Sequence, residues 1–341
     1  MSSDQDIFVY RTRKSAFDRF VRYPLEFVGA VFFCVIFRVM PLDLASAVCG
    51  FLVRHIGPRM KVSWVARYNM MKAFPEKTPA EIDGLVVKMW DNMGRTFGEY
   101  PHLRVLTRHY KKRIEIVHPE RLQQLADDGK PGIVFSAHIG NWEMSSVSSR
   151  AADLEYHRIY RFANNPLVEW LFTYFRKDVK GELLPKGKAG MKRIVKHMNE
   201  GGHLALLIDQ KMNDGISVPF FGFEAMTTPA LARLAMKYDC PVVPIRSERL
   251  KGAHYRLTAQ EALCFEKTGD AKADSRALMI KANKVLERWI REKPEQWLWV
   301  HKRWPDSNMG SMRLYKDRKL WKQGIKPPEL FKESQEGRVP E

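Results

Sequence analysis

GIVFSAHIGNWEMSS, running from Gly132 to Ser146, reads as a buried strand, a tight turn and the opening of a helix. The near-continuous apolar run 132–137 has no helical periodicity and is short enough for a strand buried on both faces. It ends at His138. Gly140 and Asn141 are turn and cap residues, and Trp142-Glu143 opens a predicted helix over 142–153. A titratable residue at the carboxyl end of such a strand, beside a helix start, occupies the place where α/β proteins bind ligands.

The same alternation extends on both sides. RIEIVH (113–118) precedes a helix at 119–127, and HRIYRF (157–162) precedes one at 166–177. A helix at 188–200 is followed by HLALLID (203–209), VPFF (218–221) and a helix at 228–238. PVVPIRSERL (241–250) and YRLTAQEAL (255–263), joined by Lys-Gly-Ala-His, read as a hairpin, and a helix spans 274–291. The predicted core, 113–305, is therefore an α/β unit with a mixed, largely parallel sheet flanked by helices. Residues 56–112 read as a helical subdomain, and 306–341 as a basic, proline-bearing tail on the surface. No fixed-period repeat is present.

The 341 residues are 45% apolar, 11% aromatic and 28% charged, which suffices for a sizeable core and excludes wholesale disorder. Fifty-seven Lys and Arg against 39 Asp and Glu leave a net charge of +18, so a negatively charged partner is expected. No helix-turn-helix, RNA-recognition or zinc signature accompanies the basic clusters at 104–113, 186–196 and 313–322, which argues against nucleic acid. The four cysteines (Cys34, Cys49, Cys240, Cys264) are widely spaced, so neither a disulfide framework nor a zinc ribbon is indicated.

Residues 1–55 form a basic leader and an apolar helical segment. Arg11, Arg13, Lys14, Arg19 and Arg22 precede FVGAVFFCVIF (27–37), eleven uncharged residues that reach roughly 16 Å as a helix, short of a ~30 Å hydrocarbon core. Ala45-Ser46-Ala47 mimics a signal cleavage site, but Arg38, Pro41 and Asp43 separate it from the apolar run. A buried amphipathic helix is the alternative. The basic flank favours a membrane-seated helix, with spanning left open.

His138 and Glu143 are the candidate catalytic pair. On one regular helix a five-residue spacing separates side chains by roughly 140°, so they meet only if His138 stays in the loop and folds back over the first helical turn. Glu143 then fixes the imidazole tautomer and leaves the other nitrogen to take a proton from a hydroxyl. A capping glutamate beside a hydrogen-bonded histidine is the structural alternative. Arg161 and Asp209 terminate two other strands and are expected to converge on the same mouth. No GxSxG elbow or HExxH pair occurs, no third metal ligand is evident, and GELLPKGKAG (181–190) departs from a phosphate loop.

At AHIGNWE the chain resembles the late acyltransferases of lipid A biosynthesis, the bacterial lauroyl/myristoyl transferase family. These are related to glycerophospholipid acyltransferases with a His-x4-acid motif. YRFANNPLVEWL (160–171), LLIDQK with VPFFGFEAMTTPALARLA (206–235), PVVPI (241–245) and PEQWLWVHKRW (294–304) match further family blocks in order. Lys211 departs from the residue common after Asp-Gln, and the two ends of the chain match nothing.

The resemblance implies acyl transfer from an acyl carrier protein thioester to a hydroxyl of a Kdo-bearing lipid A precursor, at the cytoplasmic face of the inner membrane. It implies His138 as base, Glu143 as its orienting partner, and substrate contacts at Arg161, Asn165, Asp209 and Asn141. Backbone N–H groups around Gly140 and Asn141 are the expected oxyanion donors, and Asp209 is expected to position Arg161 or a sugar hydroxyl. No cofactor or metal is implied, and anionic lipids are further expected partners. A lysophospholipid or glycolipid acceptor, or a catalytically silent membrane scaffold, are the alternatives.

Overall fold

The computed structural model describes residues 15–150, 152–335 and 338–339; Arg11, Arg13 and Lys14 of the basic leader fall outside them. A π-helical turn, Asp18–Arg22, runs directly into α1 (Tyr23–Val39), and α2 (Leu42–Ile56) follows Pro41. α3 (Ser63–Ala73), α4 (Pro79–Glu99) and α5 (Leu103–Arg108) complete the amino-terminal helices. Thr78 and Glu81 close a capping box on α4, with Pro79 in its first turn. α2 lies unusually close to α4 because two side chains are missing: a Cβ on Gly94 or Gly98 would stand 2.6 Å from the Cys49 carbonyl oxygen or 2.5 Å from that of Ala45.

The core begins with β1 (Ile114–Val117), α6 (Pro119–Asp127) and β2 (Gly132–Ser136). A 3-10 helix over Trp142–Arg150, β3 (Tyr156–Tyr160), α7 (Pro166–Arg176), β4 (Leu183–Pro185), α8 (Lys188–Asn199) and β5 (His203–Leu207) follow. β6 (Ile216–Phe220) and β7 (Phe223–Thr227) pair as a separate antiparallel ribbon. α9 (Ala230–Tyr238), β8 (Val242–Arg249), β9 (Tyr255–Ala259) and α10 (Ala271–Glu292) close the unit.

Seven strands lie in the order β1-β9-β8-β2-β5-β3-β4, and every neighbouring pair is parallel except the predicted β8–β9 hairpin. The sheet is thus mixed and largely parallel, as the alternation implies. All five residues of β2 are buried. Ile133 and Phe135 join the main core with α9 and α10, whereas Val134 faces α6 with Leu122, Leu125, Ala205 and Ile245. β2 lies at the centre, and the chain leaves it toward both sheet edges, so the carboxyl ends of β2, β5 and β3 form a crevice.

Three readings change. The amino-terminal helix, counted from Asp18 to Val39, has 22 residues and runs through Pro24 and Glu26, which the uncharged-run criterion stopped short of. At 1.5 Å per residue it is about 33 Å long, enough to cross a hydrocarbon core. Phe20, Leu25, Val28, Phe32, Val35 and Val39 all face outward, so it is an apolar candidate membrane segment and not a buried core helix. Second, the segment after 306 is no surface tail: α11 (Ser307–Lys316), α12 (Arg318–Lys322) and α13 (Pro328–Gln335) pack onto the core. Leu314, Trp321 and Leu330 are buried there, and the Trp321 indole N–H donates to Asp83 at 3.1 Å. Third, the helix expected over 142–153 is a 3-10 helix that ends at Arg150.

Candidate active site

Register alone brings His138 and Asp209 together. β2 and β5 are parallel with Ser136 opposite Leu207, and two residues further along each strand stand the imidazole and the carboxylate. His138 Nδ1 donates to Asp209 Oδ1 at 2.8 Å, and the His138 backbone N–H donates to Oδ2 at 2.9 Å. The Trp297 indole N–H adds a third donor to Oδ2 at 2.8 Å. Asp209 is fully buried; burial favours its neutral form, but His138 and these hydrogen bonds outweigh it and hold the carboxyl well below the usual range. With Nδ1–H committed to Asp209, the His138 lone pair is on Nε2, where the Gln210 amide approaches at 3.4 Å.

The expected imidazole–Glu143 contact is therefore replaced. Glu143 accepts from Arg176 Nε at 2.9 Å and from Arg176 Nη2, while its backbone N–H donates to Asn141 Oδ1 at 3.2 Å. Burial opposes ionisation of Glu143, yet the Arg176 guanidinium keeps its carboxyl below the ordinary value. The strand neighbour reaches His138 first, and the 3-10 turn leaves Glu143 to the cation at the end of α7. Both His138 and Glu143 still line one cleft of about 670 Å³, with Trp142, Arg158, Tyr160 and Arg176.

Two expected substrate contacts are structural. Asn141 is fully buried, its side-chain amide donates to Glu99 Oε2 at 2.9 Å, and its backbone carbonyl accepts from Ser247 Oγ at 2.9 Å. Asn165 caps α7 by accepting from Leu167 N–H at 3.0 Å, and its amide donates to the Tyr23 carbonyl and Glu26 Oε2, each at 2.9 Å. Asp209 holds His138, and no hydrogen bond joins it to Arg161 among the described residues. Arg161 is exposed just beyond β3 at the same sheet edge, and its charge adds to burial in lowering the Lys186 ammonium pKa. The Gly140 N–H is spent on the Gln296 carbonyl at 2.9 Å, which removes it as an oxyanion donor.

The turn carrying His138 is held from behind. Gly140 has φ +61°, and a Cβ there would lie 2.6 Å from the Ser247 carbonyl oxygen, so only glycine fits. Asn92 Nδ2 donates to the Gly140 carbonyl at 2.9 Å, and Arg249 Nε to Asn92 Oδ1 at 2.8 Å. Arg249 also pairs with Glu99, itself fully buried, which raises the guanidinium above its ordinary range despite the cost of burial. Ser46 Oγ on α2 donates to the same Glu99 at 2.7 Å.

Behind Asp209 stands a second imidazole. His301 packs edge-on against Trp297 at 4.9 Å, and neither ring nitrogen has a partner among the described residues. Burial lowers it from an ordinary value of 6.5 to about 4. The unfolded chain then takes up this proton first as pH falls, so stability present above pH 6.5 is lost toward pH 4, by up to ~3 kcal/mol. Urea denaturation across that range is expected to show this slope, and His301→Asn is expected to remove it; an unchanged slope in the variant contradicts the assignment. Among the described residues, no group of three or more His, Cys, Asp or Glu side chains is placed to hold a metal ion.

Arg176, Arg158, Trp297 and His301 were not singled out from the sequence. Trp297 and His301 stand inside the matched block 294–304, and the Arg at the end of helix 166–177 was the available cue for the partner of Glu143.

Residues 13–306 match the model of the bacterial lipid A biosynthesis acyltransferases. A lipid A biosynthesis acyltransferase of Haemophilus influenzae is 23% identical over 275 residues, 79% of this chain and 84% of that protein. The lipid A biosynthesis lauroyltransferase of Escherichia coli is 24% identical over 70% of this chain and 78% of its own length. The palmitoleoyltransferase of the same organism is 25% identical over 74% and 81% respectively. With the match running over residues 13–306, most of its length, the chain belongs to the bacterial lipid A biosynthesis acyltransferase family.

Proposed function

We propose that the protein moves a fatty acyl group from an acyl carrier protein thioester to a hydroxyl of a Kdo-bearing lipid A precursor, at the cytoplasmic face of the inner membrane. The observation that carries the reading is the His138 imidazole, which lines the cleft and whose Nδ1–H is held by Asp209, leaving the Nε2 lone pair to accept a proton. A hydroxyl is a weak nucleophile, and a positioned base supplies about 10²–10⁴-fold in rate. Nε2 takes the hydroxyl proton as the oxygen attacks the thioester carbonyl, and Asp209 stabilises the imidazolium formed. Collapse of the tetrahedral intermediate breaks the carbon–sulfur bond, and the departing thiolate recovers the proton. Glu143 and Arg176 form the wall facing this exchange. The outward apolar face of α1 supports a membrane seat, and the surplus of cations suits both an acidic carrier protein and anionic lipids.

The test is direct. The purified full chain, incubated with acyl carrier proteins loaded with different chains and a tetra-acylated precursor, is expected to add one acyl group by mass. His138→Ala is expected to lower that rate by about 10²–10⁴-fold with its melting temperature kept. A folded His138→Ala protein that acylates at the parent rate ends this reading.

A further inference from the structure

Two largely buried guanidiniums stand on the cleft wall near one carboxylate, which pairs with Arg176. Arg176 spends Nε and Nη2 on Glu143, and its Nη1 has no partner among the described residues. Arg158 on β3 donates from Nη2 to the Gly181 carbonyl at 3.3 Å, while its Nε is likewise unpartnered. Ser136 Oγ, at the end of β2 in the same cleft, is a third unpartnered polar atom. A buried cation without a counter-charge is costly, and burial pushes the Arg158 guanidinium below its ordinary range, with Glu143 and Arg176 acting on it in opposite directions.

A second cleft, of about 1130 Å³, meets the first at Arg158, Arg176 and Leu183. Its own carboxylates are engaged: Glu169 accepts from the Ala163 N–H at 2.6 Å and from the Tyr160 hydroxyl at 3.2 Å, and Glu182 pairs with Arg193. Phe162, Pro166, Trp170 and Val179 give it an apolar side, and Thr173, Lys177 and Arg193 complete the wall. Trp170 is 61% exposed and packs edge-on against Phe27 of α1, so this rim adjoins the outward apolar face of the amino-terminal helix.

We infer that Arg158 and Arg176 form a phosphate site for an amphiphile, whose apolar part runs along Phe162 and Trp170 toward the face of α1. Guanidinium edges and a hydroxyl supply several donors, which suits the terminal oxygens of a phosphate. The assignment rests on the acyl-transfer reading for its role, the recognition of a phosphate on the lipid acceptor, but its binding is measured without turnover.

The full chain in uncharged detergent is titrated calorimetrically with dihexanoyl phosphatidic acid, dihexanoylglycerol and inorganic phosphate. Phosphatidic acid is expected to bind most tightly, and equally to the parent and to His138→Ala. Arg158→Gln is expected to weaken it at least about tenfold, with Arg158→Lys intermediate because the charge stays and the fork is lost. Melting curves identify folded variants, and the lysine variant carries the test should the glutamine variant unfold. Binding of phosphatidic acid within threefold of the parent in both Arg158 variants overturns the site. Inorganic phosphate binding as tightly as phosphatidic acid overturns the lipid part of the assignment. If Arg158-dependent binding stands while the parent transfers no acyl group, the function fails and the site survives; if transfer stands without that binding, the site alone fails.

Discussion

Asp209→Asn is expected to lower kcat by about 10²–10⁴-fold with little change in the melting temperature. The reason lies in three donors. Trp297 Nε1 and the His138 backbone N–H both point at Oδ2, so an asparagine must put its carbonyl oxygen there. Its NH2 group then occupies the Oδ1 position, 2.8 Å from His138 Nδ1. Nδ1 is thereby forced to accept, the proton moves to Nε2, and that nitrogen can no longer take one from a hydroxyl. The measurement is the initial rate of acyl transfer at saturating donor, beside circular dichroism of the variant. A kcat within threefold of the parent would show that Asp209 does not set the tautomer.

The second large effect falls on stability. Glu99→Gln leaves Arg249 buried without its carboxylate, and breaking such a pair from one side costs about 3–5 kcal/mol. Asn141, Ser46 and Tyr255 lose a charged partner at the same step. The double variant Glu99→Gln/Arg249→Met removes the stranded cation and is expected to recover part of the loss. Chemical denaturation of the three proteins checks both statements, and a single variant within 1 kcal/mol of the parent would contradict them.

Much of the architecture was legible because burial writes period and length into a sequence. β2, α6, α7 and β8 stand within a residue or two of their expected places, and β9 starts where expected but ends at Ala259, four residues early. β4 escaped notice because three residues ending in Pro185 carry no pattern, and β7 because it follows β6 after only Phe221-Gly222. The site was half legible. His138, Arg161 and Asp209 were readable as strand ends on one edge, but which carboxylate serves the imidazole depends on the offset between β2 and β5, seventy residues apart in the chain. A short local spacing pointed to Glu143 instead. Asn141 and Asn165 misled for a related reason: a polar residue in a turn looks the same from sequence whether it faces solvent or is consumed by the backbone around it.

Asn165 grips two helices at once, the first turn of α1 through Tyr23 and Glu26 and the first turn of α7 through its own cap. Those helices therefore cannot pivot independently. A displacement of α1 would therefore reach α7, whose last residue is the arginine clamped on Glu143. One asparagine side chain thus ties the apolar amino-terminal helix to the wall of the reaction cleft.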